Sequence, residues 1–307
     1  MKRSKLFYLS LLAIVVSTFT IFSTTILAAE KREQFTVKGL GHPFGTSRHT
    51  ILAAIADVHR KTKSWVNISM IETPGAMYMM KWIKTNRDKI ATDEEPPWLV
   101  VSDPAASIFA YEGRPSLQDV KVPNWVGLYS LPAFVFTYVT FDPNIKTPED
   151  FVGKKVGLTE KARVFSGVLA NKLLFEKGLG IWDKVNWEWL GEIGSKNALL
   201  NNRIDVMQTA FVGKAKLAAD GSGSYICTDI APTEVLLELL ETGRDLYFID
   251  TKPELVLKSF DIRTDYKLFP VLIKKEAHVS FKRDFWGRLG LGQMATDIRR
   301  RTTSSRS

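Results

Sequence analysis

Apolar positions along the chain recur with two different spacings, and the two kinds of segment alternate. Short runs in which apolar residues follow one another or alternate with polar ones, at residues 35–38, 66–70 and 98–101, indicate strands. Segments with apolar residues at helical spacing follow, as between Ile51 and Val58. Regular alternation of strand and helix predicts an α/β fold with parallel-type sheets flanked by helices.

The same alternation continues in the second half of the chain. We predict strands at residues 134–141, 155–158, 185–190, 205–209 and 246–249, and helices at 164–177, 195–202, near 213–219 and at 232–241. About 270 residues of this pattern are more than a single hydrophobic core usually accommodates, so we expect two α/β lobes. Residues 30–130 with 246–298 are assigned to the first lobe, and 131–245 to the second.

The turns between strands and helices are the candidate binding residues. In open α/β sheets the carboxyl ends of strands and the amino ends of the following helices face one crevice, where free N–H groups attract carboxylates. Small organic anions are therefore the expected ligands. In the first lobe the predicted site residues are Gly41, Phe44, Gly45, Thr46, Ser47, Thr73, Gly75, Ser102 and Asp103; in the second they are Thr159, Arg163, Ser166, Thr209 and Phe211.

Arg163 is the most specific of these predictions. A guanidinium can hold a carboxylate through two parallel hydrogen bonds, so its replacement is expected to weaken anion binding with little loss of fold. Two other interpretations stay open at this point. Arg163 could be a solvated residue at a helix start, or Glu160 could pair with it.

The first 29 residues indicate export. Lys2, Arg3 and Lys5 precede an uncharged, largely apolar run from residue 6 to 29. This is the pattern of a secretory signal peptide, with cleavage after Ala28 or Ala29. The run is also long enough to be an uncleaved membrane anchor. Both interpretations place the body outside the cytoplasm, in the periplasm, and no cysteine follows the run for lipid attachment.

The net charge of +9 comes mostly from the two ends of the chain. Seven Lys or Arg residues lie in the first five and the last nine positions, where there is no acidic residue, so the rest of the chain carries only +2. Nucleic-acid binding requires a dense positive surface on the folded body, so we exclude it. The basic segment 299–307 lacks apolar periodicity and is predicted to be a disordered tail.

The sequence contains few residues that indicate disulfide, metal, nucleotide or catalytic chemistry. Cys227 is the single cysteine, so no intramolecular disulfide forms, and we expect a structural thiol. His42, His49 and His59 do not share one helical face, so no metal is predicted. Nucleotide-binding motifs are absent and no cofactor is expected. An extracytoplasmic enzyme with Asp103 and Glu160 as acid and base is the alternative to a non-enzymatic binding protein.

Several motifs resemble one family of solute receptors. They are the glycine loop 39–45 followed by Thr46-Ser47, the turn 72–76, the run from Ile145 to Gly157, Gly178-Leu179, and the segment 202–205. Together they resemble the TAXI family of solute-binding proteins of TRAP transporters, within the type II periplasmic binding proteins. The resemblance extends over roughly residues 35–250. The loop 159–164 departs from the glycine- and serine-rich family pattern, so the ligand is not carried over.

The resemblance implies a fold and a function. Two lobes joined by hinge-forming crossover strands would enclose the ligand in a cleft. The receptor would deliver it to the subunits of a TRAP-type membrane permease, or alternatively to an ABC-type importer. The ligand class expected for such a cleft is a dicarboxylate, a 2-oxoacid or an acidic amino acid.

Overall fold

The computed structural model describes residues 32–44, 46–86, 88–89, 96–102, 104–114, 117–120, 133–259 and 268–289. The predicted signal segment 1–29 and the tail 299–307 lie outside these residues. Within the described ranges the chain forms two separate sheets flanked by helices, which confirms the α/β class. No helix in those ranges is both long enough and apolar enough to cross a membrane.

The smaller sheet is built as predicted. Its strands β1 (Phe35–Gly41), β2 (Val66–Glu72) and β3 (Trp98–Val100) are parallel in the order β2-β1-β3. Helices connect and follow them: α1 (Ser47–Lys61), α2 (Ala76–Asn86) and α3 (Pro104–Glu112). Parallel strands require such crossover helices, so the carboxyl ends of all three strands meet at one edge.

The larger sheet has eight strands of mixed direction. They are β4 (Ala133–Thr140), β5 (Lys155–Leu158), β6 (Asn186–Trp189), β7 (Val206–Leu217), β8 (Tyr225–Pro232), β9 (Tyr247–Phe248), β10 (Phe269–Ile273) and β11 (Phe285–Leu289), in the order β6-β5-β7-β8-β10-β11-β4-β9. The parallel prediction holds for β5 with β6 and β7, and for β8 with β10. The other pairs described in this sheet are all antiparallel.

Five of these strands close into a ring. β4 pairs with β11 and also with β7, so that β7, β8, β10, β11 and β4 follow one another around a circle. Phe211 on β7 contacts Phe285 on β11, with ring centroids 6.1 Å apart, although these strands are not neighbours. Their shared face is therefore the inside of the ring, and it forms a hydrophobic core.

Two sequence predictions differ from the observed strands. Residues 213–219 were predicted as a helix, but β7 continues through Leu217 and pairs with β8. β9, β10 and β11 fall within residues 246–298, which we assigned to the first lobe, yet they pair in the larger sheet. A strand joins the sheet that offers it a hydrogen-bonding edge, whatever its place in the sequence. The boundaries of the two lobes stay a prediction.

The remaining helices cover the larger sheet. A helical segment, here called α4, runs through Val164–Leu169, Ala170–Lys172 and Leu173–Gly178, and its first and last stretches are π-helical. It is followed by α5 (Gly191–Leu200), α6 (Glu234–Glu241) and α7 (Pro253–Lys258). One core cluster includes residues of α2, α3 and α4, so helices of both sheets pack together. Phe109 of α3 meets Phe165 of α4 at 5.0 Å.

Candidate functional site

The carboxyl edge of the smaller sheet brings several predicted residues together. Thr73 donates from its backbone N–H and from its hydroxyl to the carbonyl of Gly41, at 3.0 and 2.7 Å. Thr46 caps α1 by accepting a hydrogen bond from the backbone N–H of His49, as the sequence predicts. Ser102 follows β3 at the same edge. Both threonine hydroxyls therefore hold the turns in place.

The second group of predicted residues surrounds the start of α4. Thr159, Arg163 and Ser166 are all buried. Among the residues that the structure describes, the hydroxyls of Thr159 and Ser166 have no hydrogen-bond partner. A Cβ at Gly167 would lie 2.6 Å from the Thr159 hydroxyl oxygen, so the absence of a side chain there lets that hydroxyl approach the helix. Two unsatisfied buried hydroxyls beside a helix amino end are suited to a polar ligand.

The two groups meet directly. Gly75 has a φ of 141°, and a Cβ at this position would lie 3.4 Å from the carbonyl oxygen of Ala162. Glycine is therefore favoured here by the backbone conformation, while a Cβ would make only an ordinary van der Waals contact with the neighbouring turn. On the other side, the guanidinium of Arg48 at the start of α1 lies 4.7 Å from the ring of Phe134 on β4. The amino ends of α1 and α4 thus converge between the sheets.

His42 lies where these groups meet and is fully buried. Neither of its ring nitrogens forms a hydrogen bond of good geometry with any residue in the described ranges. Burial, and then the positive charges of Arg48 and Arg163, hold the pKa of the imidazole well below its ordinary 6.5, while the Val101 carbonyl raises it by a smaller amount. The folded state therefore keeps His42 neutral.

This shift predicts a pH-dependent stability. Below about pH 6.5 the unfolded chain binds a proton at His42 that the folded chain excludes, so stability present at neutral pH is lost as the pH falls. His42→Gln should flatten this dependence by up to about 1.4 kcal/mol per pH unit. Urea unfolding between pH 5.5 and 7.5 measures the free energy of unfolding of the wild type and of His42→Gln. If this free energy changes equally with pH in both proteins, His42 is not the group responsible.

Arg163 is already engaged in ion pairs. Its Nη1 lies 2.5 Å from Glu192 Oε1 and its Nε lies 3.1 Å from Glu160 Oε2. Among the interpretations left open by the sequence, pairing with Glu160 is the one observed, and a solvated Arg163 is wrong because the side chain is only 3% exposed. Glu192 was not predicted. Arg163 as a clamp for a ligand carboxylate would have to compete with two carboxylates of the chain itself.

Phe211, of the second-lobe predictions, lies elsewhere. Its side chain is buried among apolar side chains inside the ring of strands, so the structure places it apart from the other predicted residues, and its role in the ligand site stays a prediction. Thr209 lies two positions before Phe211 on β7 and therefore on the same face. Phe44 lies at the carboxyl edge but is 73% exposed, and its ring contacts His49. Three further predicted positions lie outside what the structure describes: Gly45, Asp103 and the side chain of Ser47.

A polar cluster under α4 was not predicted. Tyr138 donates to Asn171 Oδ1, and Asn171 Nδ2 donates to Gln208 Oε1 at 3.1 Å and to the carbonyl of Gly167. Gln208 Nε2 donates to the carbonyl of Ser166 at 3.3 Å. Arg288 Nη2 completes the cluster with bonds to Asn171 and Tyr138. These side chains hold the first turns of α4 against the sheet.

A signal for this cluster was present in the sequence. Gln208 and Arg288 each interrupt a strand of apolar residues, and Asn171 interrupts an apolar helix face. Buried polar residues of this kind are hydrogen-bonded to one another, so three interruptions in separate elements indicate a shared polar contact. The strand period then places Gln208, rather than Thr209, on the face of Tyr138 and Arg288.

Other candidate chemistry is limited in the described ranges. They hold no group of three His, Cys, Asp or Glu side chains arranged for a metal ion. Cys227 is buried inside the ring of strands, and burial raises the pKa of its thiol. A cavity of about 290 Å³ opens beside β9 and is lined by residues that include Lys146, Asp250 and Arg283. None of the predicted site residues lines it.

No protein-family model and no curated protein matches the sequence. Similar solved structures include the alkanesulfonate-binding protein of Xanthomonas axonopodis pv. citri bound to MOPS, at 13% identity over 57% of this chain and 54% of that chain, with a TM-score of 0.33. Another is a periplasmic sulfonate-binding protein of a putative sulfonate ABC transporter from Methylobacillus flagellatus KT, at 14% identity, 58% and 52% coverage and a TM-score of 0.34.

A third is a Salmonella typhimurium periplasmic binding protein with high arginine specificity, at 14% identity, 70% and 77% coverage and a TM-score of 0.37. The chain spans about half the length of the first two proteins. All three TM-scores lie below 0.5, so the function of this chain is inferred from its own contacts.

Proposed function

We propose that this chain is an extracytoplasmic, non-enzymatic receptor that binds a small organic anion between its two sheets and delivers it to a membrane permease. The expected ligands are dicarboxylates, 2-oxoacids and acidic amino acids. The observation that carries the proposal is the meeting of two helix amino ends at buried, unsatisfied hydroxyls, those of Thr159 and Ser166, next to His42. His42 lies close enough to Arg48 and Arg163 for their positive charges to lower its pKa, and the free N–H groups of a helix amino end favour anions.

Ligand binding would work by closure. Residues 73–75 follow β2 of the smaller sheet and residues 159–166 follow β5 of the larger one, and these two turns are in contact. A solute held by both would favour the arrangement in which the turns are together, by its difference in affinity for the closed and open states. The enzymatic alternative needs Glu160 and Asp103 as acid and base. Glu160 forms an ion pair with Arg163, so this carboxylate is already engaged.

Isothermal titration calorimetry on the purified protein tests whether it binds a small organic anion. The panel is succinate, 2-oxoglutarate and glutamate, and we expect heat from at least one of them. Thr159→Val should weaken that binding about five- to tenfold, because it removes one hydrogen-bonding group of ordinary strength. Thr209→Val is the matched control, since it makes the same change inside the ring of strands, and its affinity should equal that of the wild type. Absence of heat and of any thermal shift across the panel would count against an anion receptor.

The permease partner is proposed from the sequence resemblance, which favours a TRAP-type transporter. An ABC-type importer is the second candidate and is the class named in the description of the Methylobacillus flagellatus protein. The two candidates can be distinguished by measuring solute uptake into vesicles that contain the receptor and a cognate permease. Uptake without ATP supports the TRAP-type partner, and uptake that requires ATP supports the ABC-type partner.

A further inference from the structure

Arg288 on β11 is a buried cation without an acidic partner in the part of the chain that the structure describes. The residue is only 1% exposed. Its Nη2 donates to Asn171 Oδ1 at 3.0 Å and to the Tyr138 hydroxyl at 3.3 Å. Its Nε and Nη1, which carry three N–H bonds, have no hydrogen-bond partner among the described residues. A buried guanidinium in this condition is strongly unfavourable unless an anion meets it.

The groups around Arg288 position its charge without neutralising it. The rings of Phe136 and Tyr138 lie 5.4 and 5.8 Å from its guanidinium carbon. Burial raises the pKa of the Tyr138 phenol, although the charge of Arg288 opposes this shift, so the phenol stays neutral at physiological pH. Asn171 and Gln208 are uncharged amides that bond to each other. The cluster therefore fixes the orientation of a cation that keeps its full charge.

The same cluster is joined to the candidate site. Asn171 donates to the carbonyl of Gly167, and Gln208 donates to the carbonyl of Ser166. Ser166 also carries one of the unsatisfied hydroxyls of the site. Arg288 is thus connected through Asn171 to the first turns of α4, where the candidate site lies. Arg163, by contrast, has two carboxylates of its own chain beside it.

We propose that Arg288, held by Tyr138 and Asn171, is the residue that binds the carboxylate of the solute, and that Arg163 serves as a structural ion pair. This inference rests on the proposed function and names its anion-recognition residue. The unsatisfied N–H groups of Nε and Nη1 are the donors to the carboxylate. Charge-assisted bonds of this kind are about twice as strong as neutral ones.

Calorimetry on four proteins tests the assignment, with sodium succinate, sodium 2-oxoglutarate and sodium chloride as probes at one ionic strength. Compared with the wild type, Arg288→Met should weaken carboxylate binding about 100-fold, and Arg288→Lys about tenfold because a single ammonium replaces the planar guanidinium. Arg60→Met is the charge-matched control on the exposed face of α1 and should bind within about twofold of the wild type. Chloride should give no heat that depends on Arg288.

A merely structural role for Arg288 predicts a different pattern. In buffer without carboxylates, Arg288→Met should unfold at the same temperature as the wild type or above it, because an apolar side chain removes an uncompensated buried charge. A structural Arg288 would lower that temperature and leave the carboxylate affinity unchanged. If Arg288→Met fails to fold, Arg288→Lys decides, and wild-type affinity in that variant overturns the inference.

The failure of this inference differs from the failure of the proposed function. Carboxylate heat that is equal in the wild type and in Arg288→Met overturns the role of Arg288 and leaves the receptor function standing. No heat from the wild type with any carboxylate overturns both. Heat from chloride that disappears in Arg288→Met would identify a simple halide site and overturn the carboxylate assignment.

Discussion

Phe211→Ala should lower the free energy of unfolding by about 3–5 kcal/mol, the usual cost of removing a fully buried aromatic ring. Phe211 has no exposed surface and contacts Phe248, Phe281 and Phe285, with ring centroids 5.4 to 6.1 Å apart. The truncation leaves a cavity inside the closed ring of strands, which has little freedom to collapse. Urea unfolding measures the loss, and the affinity of the folded variant for its solute should not change.

Phe44→Ala is the natural comparison, because the sequence predicts a ligand role for both phenylalanines. Phe44 is 73% exposed, so its truncation should change stability by less than about 0.5 kcal/mol. A Phe211 variant that kept its stability but lost solute affinity would show that the phenyl side chain lines the ligand site. The face of β7 that carries Phe211 would then face the ligand and not the inside of the ring of strands.

The contrast between Phe211 and Gln208 shows how far sequence reasoning extends in a buried strand. β7 is buried on both faces between Val206 and Phe211, and each face carries one polar residue, so alternation does not reveal which face meets the ligand. The face is decided by the pairing of β4 with both β7 and β11, which closes the ring. Such pairing joins residues at least 68 positions apart in sequence, and no local pattern encodes it.

Residues 213–219 were mispredicted for a related reason. Gly213 and Ala215 alternate with Lys214 and Lys216, which is a strand pattern and not the helical spacing that was predicted. In the fold, Gly213 allows β8 to approach closely, since a Cβ there would lie 2.7 Å from the carbonyl oxygen of Asp229. The small residue permits the strand pairing instead of ending the strand.

The turns of the smaller sheet were predictable because their chemistry is local. Thr46 caps α1 three positions before its partner His49, and Gly75 supplies a positive φ that most residues avoid. The ion pairs of Arg163 were harder to predict. Glu192 lies 29 positions away on α5, and only the packing of α5 near the start of α4 brings the two charges together.

Arg163→Met should lower the free energy of unfolding by about 2–4 kcal/mol. The sequence alone led us to expect little loss of fold from this replacement. The Arg163 and Glu192 side chains are 3% and 11% exposed, so removal of the cation leaves a buried carboxylate without its partner. Glu160 is 36% exposed, and its share of the loss should stay below about 1 kcal/mol because solvent screens it. Urea unfolding of Arg163→Met and of Glu160→Gln measures the two contributions separately.

The double variant Arg163→Met, Glu192→Gln distinguishes an ion pair from a ligand clamp. Removing both charges together should restore more than half of the stability lost in the single variant, since no unpaired carboxylate then remains buried. If Arg288 carries the anion recognition, this double variant should also retain most of its carboxylate affinity. A double variant that is stable but no longer binds any carboxylate would return the role of anion clamp to Arg163, with Glu192 as the group that a ligand displaces.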